Sequence, residues 1–259
     1  MNEIIPIFYD QSSFKSILTF EKPKKCKEYG PASIVKICQD NGLKKCVVFS
    51  KNFSTFVDGW KNLKEIGVDL IWGIEFIICD DTNDKTDESR NNEHKIVVMM
   101  KNKDGYNDLL KIYSECHSNP DNKYYVQRFD LKKLKKLWTD NLILVLPFFD
   151  SFIAKNLLSF GASIVPDFSF TKPVIFKEVG SQIPFDAFIN KALDKYNKDG
   201  KLIEVKTKTI YYEKRDDFRA YSVYRAIMNK EHHTKPNLEH FSSKEFCFES
   251  YFELIKDGS

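Results

Sequence analysis

The clearest signal of architecture in this sequence is the run Cys46-Val47-Val48-Phe49. All four side chains are apolar, which predicts a strand that is buried on both of its faces. A helical pattern precedes the run from Pro31 to Asn41, and Gly42 stands where a glycine often ends a helix. A second helical pattern follows from Val57 to Ile66. This region is therefore predicted to fold as helix, strand and helix in layers.

The same alternation recurs along most of the chain, and it predicts a parallel sheet covered by helices. The run Leu142-Ile143-Leu144-Val145-Leu146 is again apolar on both faces. About seven strand–helix units fit a closed barrel better than an open sheet. We therefore predict an α/β fold, a distorted (β/α)7 barrel of the TIM-like kind, over residues 1–212. Residues 213–259 are expected to form a C-terminal helical extension that packs on the barrel or continues it.

Three local expectations concern the region after the second helix. Two separate strands are predicted, at Val68 to Trp72 and at Glu75 to Ile78. Asp80 to Glu93 has no apolar residue, so we expect a solvated loop there. His94 adjoins this polar stretch and is expected at the surface.

The composition narrows the functional classes. The 40 basic and 37 acidic residues leave a net charge of +3 over 259 residues, too even to indicate nucleic-acid binding by charge alone. The six cysteines lack the paired spacing of a zinc site, so we expect reduced thiols in a cytoplasmic protein. No run approaches the ~20 apolar residues of a membrane helix, and no secretory signal is visible at Met1 to Ile7.

Chemistry in a barrel of this kind sits at the carboxyl ends of the strands. A hydrolytic barrel needs His, Asp, Glu or Cys side chains there to hold metal ions. Asp10 follows the first predicted strand, Ile4 to Phe8, and Glu75 stands near the end of the third, Val68 to Trp72. These two are the candidate ligands at the strand ends. Lys51 follows the second strand, where its charge would repel a cation.

Four stretches carry a resemblance to a known family. They are Phe49-Ser50-Lys51-Asn52, Lys64-Glu65-Ile66-Gly67, Gly73-Ile74-Glu75-Phe76 and Lys101-Asn102-Lys103-Asp104-Gly105-Tyr106. In the same order they resemble Thr-Asp-His-Gly, Lys-Glu-Ala-Gly, Gly-Cys-Glu-Phe and Lys-Asn-Glu-Glu-Gly-Tyr of the PHP (polymerase and histidinol phosphatase) domain that opens bacterial DNA polymerase III alpha subunits. The resemblance extends from Ile4 to Leu254 and implies a TIM-like barrel of the PHP type.

The departures from the family pattern concern its metal ligands. The positions where the family holds metal are, in this chain, Asp10, Ser12, Ser50, Lys51, Glu75, Lys95, Phe148, Thr209 and Tyr211. Of the family's usual ligands, Glu75 alone is kept. Two carboxylates are too few for a cluster of divalent metals, and without metal no bound water is activated for phosphoester attack. The resemblance therefore implies a catalytically inactive domain with no metal and no cofactor, in which Tyr211 and Phe148 fill the space of the metals.

The resemblance also implies a function for such a domain. In the family, this domain docks the proofreading exonuclease and braces the polymerase. We therefore expect a protein-binding or scaffolding module in DNA replication, whose partner is a polymerase or exonuclease subunit. The Lys-, Asn- and Phe-rich composition suggests an AT-rich genome, and with it a phage or low-GC bacterial source. The alternative is a divergent metal-dependent phosphoesterase or 3'-5' exonuclease that uses Asp10, Glu75 and His94.

A basic helix offers a third hypothesis, a DNA-binding accessory protein. The run Leu131 to Leu137 places leucines at spacings of three and contains Lys132, Lys133, Lys135 and Lys136. This pattern indicates an amphipathic helix with a solvated basic face. Contact of that face with DNA, or with an acidic protein, is the sharper alternative.

Overall fold

The computed structural model describes residues 3–27, 29–158, 164–230 and 243–257. Its strands are β1 (Ile5–Tyr9), β2 (Lys45–Ser50), β3 (Asp69–Cys79), β4 (His94–Met100), β5 (Lys123–Tyr124), β6 (Val126–Gln127), β7 (Phe129–Asp130), β8 (Leu142–Leu146), β9 (Val174–Glu178) and β10 (Ile203–Ile210). Its α-helices are α1 (Ile34–Asp40), α2 (Phe56–Glu65), α3 (Asp87–Asn91), α4 (Lys103–Ser118), α5 (Leu131–Leu137), α6 (Phe152–Leu158), α7 (Asp186–Tyr196), α8 (Phe218–Asn229) and α9 (Phe248–Asp257). The predicted alternation of strands and helices is confirmed.

The first of two compact units comprises residues 1–72, 178–186 and 206–259. Its central strand is β1, which runs parallel to both β2 and β10, with Ile7 opposite Val47 on one side and Thr209 on the other. Because parallel strands end at the same edge, the residues that follow β1, β2 and β10 emerge together. The predicted strand Cys46 to Phe49 is confirmed as a buried part of β2.

Local chemistry explains where the helices of this unit begin and how closely they pack. Helix α1 begins after Ser33, whose hydroxyl accepts a hydrogen bond from the Lys36 amide at 3.3 Å, as an N-cap does. It is followed by Gly42 at φ +64°, a conformation that glycine adopts without a steric penalty. On α2, a Cβ at Gly59 would lie 3.1 Å from the Phe20 ring, so the missing side chain allows close packing.

The second unit comprises residues 73–177 and 187–205. Strand β4 is antiparallel to both of its neighbours, β3 and β8, so the prediction of an all-parallel sheet is wrong at this strand. The connection from β3 to β4 holds only the five-residue helix α3, about 8 Å long. Strand β3 has 11 residues and spans about 36 Å. The helix therefore does not return the chain to the start of β3. Strand β4 instead runs back alongside β3 in the opposite direction.

Two further expectations for this region are corrected. β3 is one continuous strand from Asp69 to Cys79, because its residues keep pairing with β4 from Gly73 to Ile78. The predicted solvated loop contains helix α3, and Thr82 within it is buried. The Arg128 guanidinium, which is fully buried, donates to the carbonyl oxygens of Thr82 and Asp84 and holds this polar stretch against the unit.

The strands close into a barrel. Their order is β2-β1-β10-β9-β8-β4-β3, and β2 also pairs with β3, while β7 pairs with β3 outside the ring. The predicted α/β fold, a TIM-like barrel with seven strands and helices between them, is confirmed. The boundary between residues 1–212 and 213–259 stays a prediction. In the described part of the chain, no helix is both long and apolar enough to cross a membrane.

Candidate functional site

The carboxylate of Asp10 lies buried at the carboxyl end of β1. Its Oδ2 atom accepts a hydrogen bond from the Ser12 amide at 3.1 Å, which caps a single 3-10 turn. The same oxygen accepts a hydrogen bond from the Thr55 hydroxyl at 2.6 Å. Thr55 precedes α2, and its hydroxyl makes no cap bond to that helix. A charge-assisted hydrogen bond of this length is among the stronger ones in proteins.

Hydroxyl groups surround this carboxylate. The Ser12 hydroxyl lies 3.1 Å from the Ser50 hydroxyl and 3.2 Å from that of Thr55. We call Asp10, Ser12, Ser50 and Thr55 the hydroxyl cluster. The sequence predicted three of its members as family metal positions, and the structure brings those three together. Thr55 was missed, because nothing in the sequence distinguishes it from an ordinary residue at the start of a helix.

The remaining metal positions of the first unit lie in different surroundings. Lys51 is exposed. Tyr211 is buried, and its ring packs 5.1 Å from Tyr9, 5.5 Å from Tyr221 and 5.7 Å from Phe246, measured between centroids. Tyr211 is therefore part of an aromatic cluster. That it fills the space of metals stays a prediction.

Thr209 is bound to a carboxylate that sequence reasoning missed. Its hydroxyl and its amide both donate to Glu178, the hydroxyl at 2.6 Å. Lys208 lies 3.7 Å from the same carboxylate, and both side chains are buried. Its ammonium group also donates to the carbonyl oxygens of Val179 and Gly180. Strand β9 ends in Lys177 and Glu178, and β10 contains Glu204, Lys206 and Lys208, so the sequence did not distinguish the two buried charges from their exposed neighbours.

Burial dominates the electrostatics of this pair. Desolvation raises the pKa of Glu178 to about 7, against the lowering effect of Lys208 and of the hydrogen bonds from Thr209. Desolvation likewise lowers the pKa of Lys208, and the Glu178 carboxylate opposes that change. We call Glu178 and Lys208 the buried ion pair.

The positions of the second unit that the resemblance predicts as metal positions have a different chemistry. Glu75 is half-buried in β3, opposite Val97. Lys95 makes an ion pair with Asp150 at 2.7 Å, and both side chains are partly exposed. Phe148 is buried, with its ring centroid 5.0 Å from that of Phe149. An ammonium group and a phenyl ring donate no electron pair to a cation.

His94 is buried, so its expected surface position is wrong. It is 5% exposed, and its ring packs edge-on against Phe152 with centroids 6.0 Å apart. Burial lowers the pKa of His94 to about 4, so the ring is neutral at pH 7. It lines a cleft of about 290 Å³ together with Glu93, Lys95, Asp150 and Lys155. His94 is the first residue of β4, a buried strand that runs antiparallel to β3.

The residues present do not fit a cluster of divalent metals. Of the positions predicted from the resemblance, those in the first unit hold one carboxylate, Asp10, and otherwise hydroxyl side chains and Lys51, while those in the second unit hold the half-buried Glu75, an ion-paired lysine and an aromatic ring. Within residues 3–27, 29–158, 164–230 and 243–257, no three His, Cys, Asp or Glu side chains form a group that could hold a metal ion.

The family model of the PHP domain matches residues 28–208, which is more than half of the chain. The chain belongs to the PHP domain family. A search of curated proteins found no match. Ser50, Lys51, Glu75, Lys95 and Phe148 fall inside the matched PHP region. Asp10, Ser12, Thr209 and Tyr211 lie outside it, so their assignment rests on the motif resemblance and on their positions at the ends of β1 and β10.

The predicted basic helix of this PHP domain is confirmed as α5, with Leu134 buried. Two of its lysines are engaged. Lys133 donates to the Asn122 side chain at 3.4 Å, and Lys135 donates to Asp167 at 3.3 Å and to Ser169 at 3.0 Å. Lys132 and Lys136 are exposed. The solvated basic face predicted from the sequence is therefore partly neutralised by Asp167.

Proposed function

We propose that this PHP-family chain is a catalytically inactive binding module, a cytoplasmic protein that docks or braces a partner protein in DNA replication. The observation that supports it best is the hydroxyl cluster. There a buried carboxylate is held by the hydroxyl of Thr55 and by the Ser12 amide, at a position where the family pattern calls for imidazoles. At two other such positions, Lys95 forms an ion pair with Asp150 and Phe148 packs against Phe149.

Metal content and hydrolysis test the inactive part of this proposal. We expect purified protein to hold far less than one equivalent of zinc, manganese or iron, measured by elemental analysis. With these metals added, hydrolysis of phosphomonoesters and of single-stranded oligonucleotides should equal that of a blank. Stoichiometric metal, with activity lost in Glu75→Ala and retained in the surface control Glu65→Ala, would overturn it.

The partner is tested by co-purification with named subunits. A tagged chain expressed in its own host should retain the replicative polymerase or proofreading exonuclease subunit through a salt wash. If mass spectrometry detects neither subunit in the purified sample, a stable replication complex is excluded.

A second candidate, a divergent phosphoesterase or 3'-5' exonuclease, is favoured by one specific observation. The Oδ1 atom of Asp10 is buried and makes no hydrogen bond to any residue that the structure describes. An unpaired carboxylate oxygen is costly to bury, and a cation would satisfy it. Asp10→Asn separates the candidates, because it should abolish hydrolysis in an enzyme and leave partner binding intact in a binding module.

A further inference from the structure

A groove lies between α6 and α7 in the second unit. Its volume is about 580 Å³, and its floor is mostly apolar. The floor is made by Phe152 and Ile153 of α6, by Ile164, and by Ala192 and Tyr196 of α7. We call this feature the α6–α7 groove.

Apolar side chains stand uncovered along the groove. Leu157 is 42% exposed and Val165 is 80% exposed, and both line it. Phe188, which is 60% exposed, precedes Ala192 by one helical turn and so continues the apolar face of α7. Exposed apolar residues scattered singly are ordinary, but a contiguous set beside a groove is typical of a binding site.

Lysines form the rim of the same groove. Lys195, Lys198 and Lys201 line it. Asp199 also lines the groove, and its carboxylate pairs with Lys201 at 3.4 Å. Lys195 and Lys198 are exposed, and neither has a carboxylate partner among the residues that the structure describes. The rim therefore carries two ammonium groups available to a negatively charged partner.

The dimensions and the chemistry select the kind of partner. The groove lies between helices of 7 and 11 residues, which are about 10 and 16 Å long, so two to three turns of a helix would fill it. An apolar floor with a cationic rim is complementary to a helix that has an apolar face flanked by Asp and Glu. Nucleic acid fits less well, because the Tyr196 ring is already covered edge-on by Phe152, with centroids 5.1 Å apart, and is not open for base stacking. A lipid surface is disfavoured because the apolar face is concave.

We infer that the α6–α7 groove binds an acidic amphipathic helix of a partner protein, an assignment that rests on the proposed binding function. The apolar residues of that helix, at spacings of three and four, contact Leu157, Ile164 and Ala192. Its carboxylates lie beside Lys195 and Lys198. Such an interface loses affinity as salt screens the rim.

The test uses the full chain and a labelled synthetic peptide of 15 residues. The peptide has Leu at helical positions i, i+3, i+4 and i+7 and Glu on both flanks, and a scrambled peptide of the same composition is the reference probe. We expect saturable binding of the first peptide by fluorescence anisotropy and much weaker binding of the second. The double variant Lys195→Glu with Lys198→Glu should raise the dissociation constant roughly tenfold or more. Leu157→Asp should raise it by a similar factor.

The control variant is Lys132→Glu with Lys136→Glu, which makes the same charge change on α5 of the same unit. Equal weakening by this pair would show a general charge effect and overturn the assignment. So would equal binding of the scrambled peptide, no binding of the ordered peptide, or tighter binding of single-stranded DNA or of anionic vesicles through the same lysines. Metal-dependent hydrolysis is measured separately. Metal-dependent hydrolysis together with intact peptide binding would reject the proposed function and leave the groove assignment standing. Absence of both hydrolysis and peptide binding would reject the groove assignment and leave the proposed function standing.

Discussion

The hydroxyl cluster of the first unit and the Lys95–Asp150 pair of the second each include residues that the family resemblance predicts as metal positions, and their surroundings are opposite. The first keeps a buried carboxylate whose Oδ2 atom accepts hydrogen bonds from Ser12 and Thr55. The second has an ion pair whose side chains are 32% and 44% exposed. A buried charge depends on each of its partners, whereas water replaces a lost partner at the surface. The same family positions should therefore tolerate substitution very differently.

The buried ion pair should give the largest contrast with the exposed one. Lys208→Met leaves the Glu178 carboxylate buried without its cation, and loss of one partner from a buried pair costs about 3–5 kcal/mol. Lys95→Met removes the cation of the exposed pair and should cost about 1 kcal/mol or less. Urea unfolding of both variants measures the difference. Equal losses would contradict the distinction between the two regions.

Stability should depend on pH through Glu178. Its pKa is raised from the usual 4.5 to about 7 in the folded protein, so between these values the folded state binds more protons than the unfolded state. Its contribution is complete below about pH 4.5 and is lost as pH rises through 7, by at most about 3 kcal/mol.

Glu178→Gln should remove this part of the pH dependence of the free energy of unfolding, measured in urea between pH 4.5 and 7.5. An unchanged slope in that variant would show that other groups cause the dependence. Asp150→Asn is the matched control from the exposed pair, and it should leave the slope in place.

The hydroxyl cluster should show a smaller effect. Thr55→Val keeps the shape of the side chain and removes the 2.6 Å hydrogen bond to Asp10, which should destabilise the protein by about 1–3 kcal/mol. Ser54→Ala removes a neighbouring exposed hydroxyl and should change stability by less than about 0.5 kcal/mol. Thermal unfolding compares the two. A neutral Thr55→Val would mean that water replaces the lost bond.

The smallest effect is expected on α5. Lys132→Gln with Lys136→Gln alters two exposed side chains and should change stability by less than about 0.5 kcal/mol. The variant also tests the DNA-binding alternative. If α5 contacts DNA, the wild-type chain binds duplex DNA in a salt-dependent way and this variant binds it more weakly. We expect no such difference in an electrophoretic mobility assay.

The hydroxyl cluster shows how far the site could be predicted. Asp10 was found because it follows a strand, whereas Ser12 and Ser50 were found through the family resemblance, and parallel strands bring all three to one edge. Thr55 and Glu178 were missed because each meets its partner across 45 and 31 positions of sequence, respectively. No local pattern encodes such a meeting. His94 was misplaced because it adjoins a polar stretch in the sequence, although it begins a buried strand.

Sequence alone determined most of the alternation of strands and helices in this chain, since apolar spacing and glycine positions act within a few residues. It also determined membership of the PHP family through motifs kept in order. Tertiary structure decided the antiparallel direction of β4, the burial of His94 and the pairing of Glu178 with Lys208 and Thr209. These depend on which distant surfaces pack together and exclude water, and that packing sets the charge states and hydrogen bonds at the strand ends.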